Sequence, residues 1–183
     1  MTHMTGLLAT LEQRYLAAPD FQAMLRGVND TPELWAAVAK RATVLDEHVA
    51  RVAALGGSWH LLVLSEGWCG DAVNTLPVVA RLAELAPNVD LRVLRRDENL
   101  DLMEAHLSGT ARAIPVVIVL DADYVERGWW GSRPRELQEW MLGPGQSLDK
   151  AERYKEVRAW YARDRGRSTI EEIVALMEGA AAA

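Results

Sequence analysis

An α/β fold with a mixed four-stranded central sheet flanked by helices is predicted by three observations. Two short continuous apolar runs, WHLLVLS (59–65) and VDLRVLR (89–95), have the length and make-up of buried strands. Between them AVNTLPVVARLAELAP (72–87) has helical periodicity, so strand, helix and strand form a right-handed parallel crossover. Further on, IPVVIVLDADYVERGWWG (114–131) supplies two strands about an aspartate-rich turn, a hairpin that completes the sheet.

The elements follow in order. Leu7, Leu8, Leu11 and Tyr15 predict a short helix, and Phe21 to Leu25 another. A single longer helix is expected from Thr31 as N-cap, through Pro32 at its first position and Glu33 in its first turn, to a stop at Gly56-Gly57. Its buried stripe is Leu34, Val38, Leu45, Val49 and Val52. Pro77 is expected to kink the crossover helix, because it removes one backbone donor and crowds the preceding turn. A short helix follows over 99–107, then strands within 115–120 and about 124–130, then a helix over 134–142 with Pro134 near its start. GPGQ (143–146) is the best linker candidate. Beyond it come a charged helix over 149–163 and a last helix opened by a Ser168/Glu171 capping box. Ile170, Ile173, Val174 and Met177 are its inward stripe, and the alanine tail is expected to fray. The division is an N-terminal helical extension (1–57), a core (58–142) and a C-terminal helical extension (143–183), within one compact unit.

Composition narrows the function classes. With 183 residues, half of them hydrophobic, the chain is long enough to bury a sizeable core. Net charge is −6, from 26 acidic against 20 basic residues that are interspersed, which argues against a nucleic-acid partner. No apolar stretch approaches the roughly 20 residues that span a bilayer, and the start is polar too early for a signal peptide, so a cytoplasmic protein with no membrane partner is expected. His3, His48, His60 and His106 are scattered without ligand spacing, so neither a metal nor a cofactor is expected.

Chemistry concentrates in SEGWCGDA (65–72), where the only cysteine, Cys69, falls at the junction of a strand and a helix. That position predicts an exposed sulfur. One cysteine excludes an intramolecular disulfide and a multi-cysteine zinc site. Adjacent Trp129 and Trp130 in a strand must face opposite ways, one toward the core and the other available to line a groove beside the sulfur. Arg95, Arg96 and Arg133 are available to attract an anionic small thiol, or are ordinary surface arginines.

The order of strand, Trp-Cys-Gly, kinked helix, strand, short helix, Ile-Pro, hairpin and helix over residues 58–142 resembles the thioredoxin family. The motifs that carry the resemblance are GWCGD (67–71), RDEN (96–99) and RAIP (112–115). The resemblance implies a thioredoxin-like fold in which Cys69 is the reactive sulfur, Pro115 is a cis-proline facing it, and the backbone at Ile114 pairs with an extended substrate. It also implies that Trp68 shields one side of the sulfur and that Gly70 lets a substrate backbone approach. A cis bond before proline costs only about 0.5–1 kcal/mol, so a fold can fix it. The glutathione signature of the glutaredoxin branch is missing, since Ala113-Ile114 precede the proline and LDADY follows the strand.

Three departures from the family pattern matter. Ala72 stands where the resolving cysteine is expected, and Val63 where many members bury a carboxylate. Without a resolving thiol a mixed disulfide must be released by an external one. Asp71 stands where proline is usual; it favours a helix start, but at about 6 Å it repels a thiolate by roughly 0.7 kcal/mol in water and about 2.8 kcal/mol at an effective dielectric of about 20. The dipole's help is similar in size, so Cys69 is expected to titrate near an ordinary thiol. Asp71 is either a plain helix-start acid or a hydrogen-bond partner in the chemistry. Two functions are compatible with these residues: thiol-disulfide exchange through Cys69 with a protein or low-molecular-weight thiol, and a protein-binding module in which Cys69 is an inert small hydrophobe. The oligomeric state is not encoded in any of these features.

Overall fold

The computed structural model describes residues 9–183. The sheet runs in the order β2-β1-β3-β4, with β1 Trp59–Ser65, β2 Val89–Arg95, β3 Val116–Leu120 and β4 Glu126–Gly131. β1 and β2 are parallel, with Val63 opposite Val93, while β3 is antiparallel to both β1 and β4. The expected mixed sheet therefore forms from the expected runs. Leu61 to Leu64 and Val116 to Leu120 are all fully buried, which explains their uninterrupted apolar sequence: a central strand covered on both faces has no solvent side. Each such side chain contributes roughly 1.5–3 kcal/mol through burial. In the edge strand β2, Val89, Leu91 and Val93 are buried while Asp90 faces solvent, giving the alternation of a half-covered strand.

Helix α5 (Gly70–Leu85) makes the crossover and presents Val73, Leu76, Val79 and Leu82 to the core at helical spacing. Pro77 lies inside it, leaving the Val73 carbonyl without its helical donor. The hairpin turn is organised by Asp121, whose Oδ1 accepts the amides of Asp123 and Val125. Tyr124 is left-handed there, so β4 begins at Glu126.

The N-terminal helices are α1 (Leu11–Ala17) and α2 (Phe21–Arg26), while Leu7, Leu8 and His3 lie outside the described residues. The long helix expected from Thr31 is two: α3 (Pro32–Arg41) and α4 (Asp46–Ala54). Ala42 and Leu45 are extended, and the β-branched pair Thr43-Val44 between them disfavours continuation. The break lets α3 pack on α5 while α4 reaches α9. It also divides the predicted stripe: Val52 is buried, but Leu34 and Leu45 are each 46% exposed. Thr31 is left-handed and its side chain caps nothing.

After α6 (Leu100–Glu104) and the hairpin come α7 (Arg135–Leu142), α8 (Lys150–Asp164) and α9 (Arg167–Ala181). The expected linker is a 3-10 turn, Pro144–Ser147. Gly145 lies so close to Trp140 that a Cβ would stand 2.9 Å from its ring, and Arg153 donates to the Gly145 carbonyl at 2.8 Å. The Ser168/Glu171 capping box does not form. Gly166 is the N-cap, Ser168 turns back to Asp164, and Glu171 is drawn away by His48 and Arg51 of α4. Ile170, Ile173, Val174 and Met177 are buried as expected. The alanine tail stays helical to Ala181, in keeping with alanine's high helix propensity. Tyr15, Phe21, Trp35, Val52 and Ile173 share one apolar cluster with the sheet, so both extensions help to build its core. Among the described residues no helix is long and apolar enough to cross a membrane.

Candidate functional site

The site forms where β1 ends. Cys69 is the N-cap of α5, with extended backbone, and its sulfur accepts the Ala72 amide at 3.4 Å. The thiol hydrogen is directed at the Ile114 carbonyl, also at 3.4 Å. The Ile114-Pro115 peptide is cis, and both residues are buried. Behind them Gly131 of β4 leaves no room for a side chain: a Cβ would sit 2.4 Å from the Pro115 carbonyl oxygen. Cys69, Ile114 and Pro115 are thus brought together from elements 45 residues apart.

The sulfur is not exposed as expected. Cys69 is 7% accessible, whereas Trp68 beside it is 54% accessible with the Arg96 guanidinium 5.1 Å from its ring centre. Burial pushes the Cys69 thiol above its ordinary value, with the Ala72 amide pulling partly the other way. Cys69 therefore departs from the near-ordinary thiol expected of it, because desolvation, the largest contribution, outweighs the balance between the helix dipole and Asp71. Val63 and Ala72, at the positions of the missing carboxylate and missing cysteine, are fully buried and apolar.

The Asp71 carboxylate is turned to other partners than the sulfur. Arg133 grips it with two nitrogens, Nε to Oδ1 at 3.0 Å and Nη2 to Oδ2 at 2.7 Å, and the Tyr161 hydroxyl donates to Oδ1 at 2.7 Å. Burial and the adjacent Asp71 charge push the Tyr161 hydroxyl far above its ordinary range, so it remains a donor. Arg133 is therefore the partner of Asp71 rather than a free anion-binding group. Arg96 is likewise engaged, by Asp97 and the Arg112 carbonyl, which ties RDEN to RAIP. Arg95 pairs with Glu98 and Glu66. Trp130 is the core tryptophan and donates to Glu172 of α9. Trp129 faces the other way, edge-on to His106 rather than beside the sulfur. The space next to Gly70 is open, so no packing within the chain requires glycine there.

Three participants escape a reading of the sequence. Tyr161 lies 90 residues from Asp71 in a helix whose apolar content is low, so nothing local marks it. Glu66 is buried and accepts the Asp97 amide at 3.0 Å, a contact between two strand ends that no local pattern marks. Trp35 fixes the loop before Cys69 by donating to the Gly67 carbonyl at 2.8 Å; its tryptophan identity inside an apolar helix was the available signal.

The crossover, the sulfur at the start of α5 and the Ile-Pro turn facing it define a thioredoxin-fold protein. A thioredoxin family model matches residues 18–158, and the chain belongs to that family. Among solved structures it is similar to a protein of unknown function from Pseudomonas aeruginosa, at 24% identity and a TM-score of 0.76, covering 94% of this chain and 99% of that one. It is also similar to an HIV epitope scaffold, at 20% identity and a TM-score of 0.75, covering 93% and 99% respectively. No curated protein matches the sequence.

Proposed function

We propose that the protein carries out thiol-disulfide exchange through Cys69 alone, with an external thiol as the resolving partner. The observation that supports this reading is the placement of the sulfur at an N-cap, bonded by the Ala72 amide and pointed at the Ile114-Pro115 turn. Cys69 first loses its proton to solvent. The thiolate attacks one sulfur of a disulfide, the old S–S bond breaks as the new one forms, and the second sulfur leaves as a thiolate. An external thiolate then attacks the mixed disulfide and frees Cys69, so electrons balance without an added oxidant. Ala72 supplies no internal attack, and the raised thiol makes the first step slow at neutral pH. The partner is a protein or a low-molecular-weight disulfide, and the compartment consistent with one free thiol is the cytoplasm.

Turnover of a fluorescent glutathione mixed disulfide by added thiol tests the reading. The wild-type chain accelerates it and Cys69→Ser does not; equal rates for the two chains contradict it. The burial of Cys69 favours one other reading, a module that binds an extended peptide at the Ile114-Pro115 turn without chemistry. That reading is preferred if peptide binds equally to the wild type and Cys69→Ser while neither turns over the disulfide.

A further inference from the structure

Helix α6 has only five residues, too few to hold a helix by its own hydrogen bonds, and a histidine just beyond it is buried without a part in the exchange chemistry. His106 is 2% exposed, and its amide closes the end of α6 on the Met103 carbonyl at 3.0 Å. The ring reaches in two directions. Nδ1 lies 2.7 Å from the Leu102 carbonyl oxygen, and Nε2 lies 3.0 Å from Glu126 Oε1 at the start of β4. Trp129, also of β4, packs edge-on against the ring with centres 5.5 Å apart.

Both partners are acceptors. A neutral imidazole has one donor nitrogen and one acceptor nitrogen, so either tautomer would set a lone pair against one of the two oxygens. The doubly protonated ring satisfies both, and its bond to a carboxylate is of the stronger, charge-assisted kind. The neighbouring charges are spoken for: Arg127 of β4 is turned to Asp121, and Glu104 of α6 to Arg112. Glu126 is thus the charge that acts on the ring among the described residues. Burial alone would lower the ring's midpoint, but the bonds to Glu126 and the Leu102 carbonyl, with the Glu126 charge, outweigh it and hold the ring above its ordinary value.

We infer that His106 carries a proton on each ring nitrogen and that this buried charge is a pH-sensitive clasp between α6 and β4. Below the ordinary midpoint of about 6.5 the clasp contributes in full, and it is lost as pH rises through the folded value. The neutral ring keeps one bond and turns a lone pair toward the other acceptor. From His106 the chain runs through the Ser108 and Ala111 bridge to Ile114 and Pro115, so the clasp stands at the base of the segment that faces Cys69. It does not depend on exchange at the sulfur.

The test reads the ring directly in the full chain, by nitrogen-proton correlation of its two nitrogens in isotope-labelled protein across a pH titration. Both nitrogens are expected in the protonated range at neutral pH, with a midpoint above about 6.5. Glu126→Gln, at a side chain 32% exposed, removes the counter-charge and should bring the midpoint down by about one unit or more. Protection of the Met103 and His106 amides, corrected for intrinsic exchange, should fall about tenfold as the wild type is taken through its midpoint, and should be low on both sides of it in Glu126→Gln. Cys69→Ser should titrate His106 as the wild type does, which separates this result from the exchange chemistry. An unprotonated ring nitrogen at neutral pH in the wild type, a midpoint that Glu126→Gln leaves in place, or equal protection on both sides of the midpoint would overturn the inference.

Discussion

Tyr161 of α8 donates its hydroxyl hydrogen to Asp71 at 2.7 Å and thereby ties the C-terminal extension to the residue two places after the cysteine. With Arg133 on the same carboxylate, the Asp71 charge is held by two partners within the fold instead of being offered to the sulfur. Asp71 raises the thiol and Arg133 lowers it, so the pair partly cancels at Cys69 and burial dominates.

Tyr161→Phe should remove one hydrogen bond to a charged acceptor and cost about 1.5–3 kcal/mol, read from urea unfolding. Asp71→Asn should cost about 3 kcal/mol or more, because Arg133 is left largely buried without its counter-charge. The same variant should lower the thiol midpoint, since it removes a negative charge beside the sulfur. A stable Asp71→Asn variant with an unchanged midpoint would show that the network is not linked to Cys69.

The raised thiol has a consequence for stability. Unfolding releases Cys69 to an ordinary midpoint of about 8.5, so above that pH the unfolded chain binds fewer protons than the folded one. The stabilisation is full below that pH and is lost as pH rises through the folded value. Unfolding free energy should therefore fall more steeply above about pH 8.5 in the wild type than in Cys69→Ser, whose side chain does not titrate. Parallel curves would contradict the raised thiol.

At the acid end the sign reverses. Hydrogen bonds from Arg51, then from His48, hold the Glu171 carboxyl near 2, below its ordinary 4.5. Its stabilisation is present above 4.5 and is lost as pH falls toward 2. Both partners are on α4, so acid should loosen the contact of α4 with α9. Glu171→Gln should flatten the acid limb of the stability curve; an unaltered limb would show that the contact adds nothing.

Ala72→Cys should create a dithiol across the first turn of α5, because the Ala72 amide already lies 3.4 Å from the sulfur. The variant should form a reducible internal disulfide and gain reductase turnover. Failure to form it under oxidation would mean that the two positions do not face each other as the helix start requires.

Much of the frame was legible in the sequence because it is local. β1 matches its apolar run since a strand buried on both faces is written as consecutive residues, and β2 is found because its buried residues alternate as in a half-covered strand. The Cys69, Ile114 and Pro115 grouping came from the family resemblance, and it is present here. What was not legible depends on distant residues. The α3–α4 break follows from two different packing partners, and the burial of Cys69 follows from a loop 45 residues away. The Asp71 clamp needed Tyr161 from an element with no periodic signature of its own.

The most direct measurement is the intact mass of the folded chain after incubation with oxidised glutathione at several pH values, and again after adding dithiothreitol. The account predicts one glutathione adduct, located at Cys69, forming faster as pH rises and removed completely by the dithiol. A folded chain that stays unmodified at every pH, while the urea-unfolded chain takes up the adduct, would contradict it.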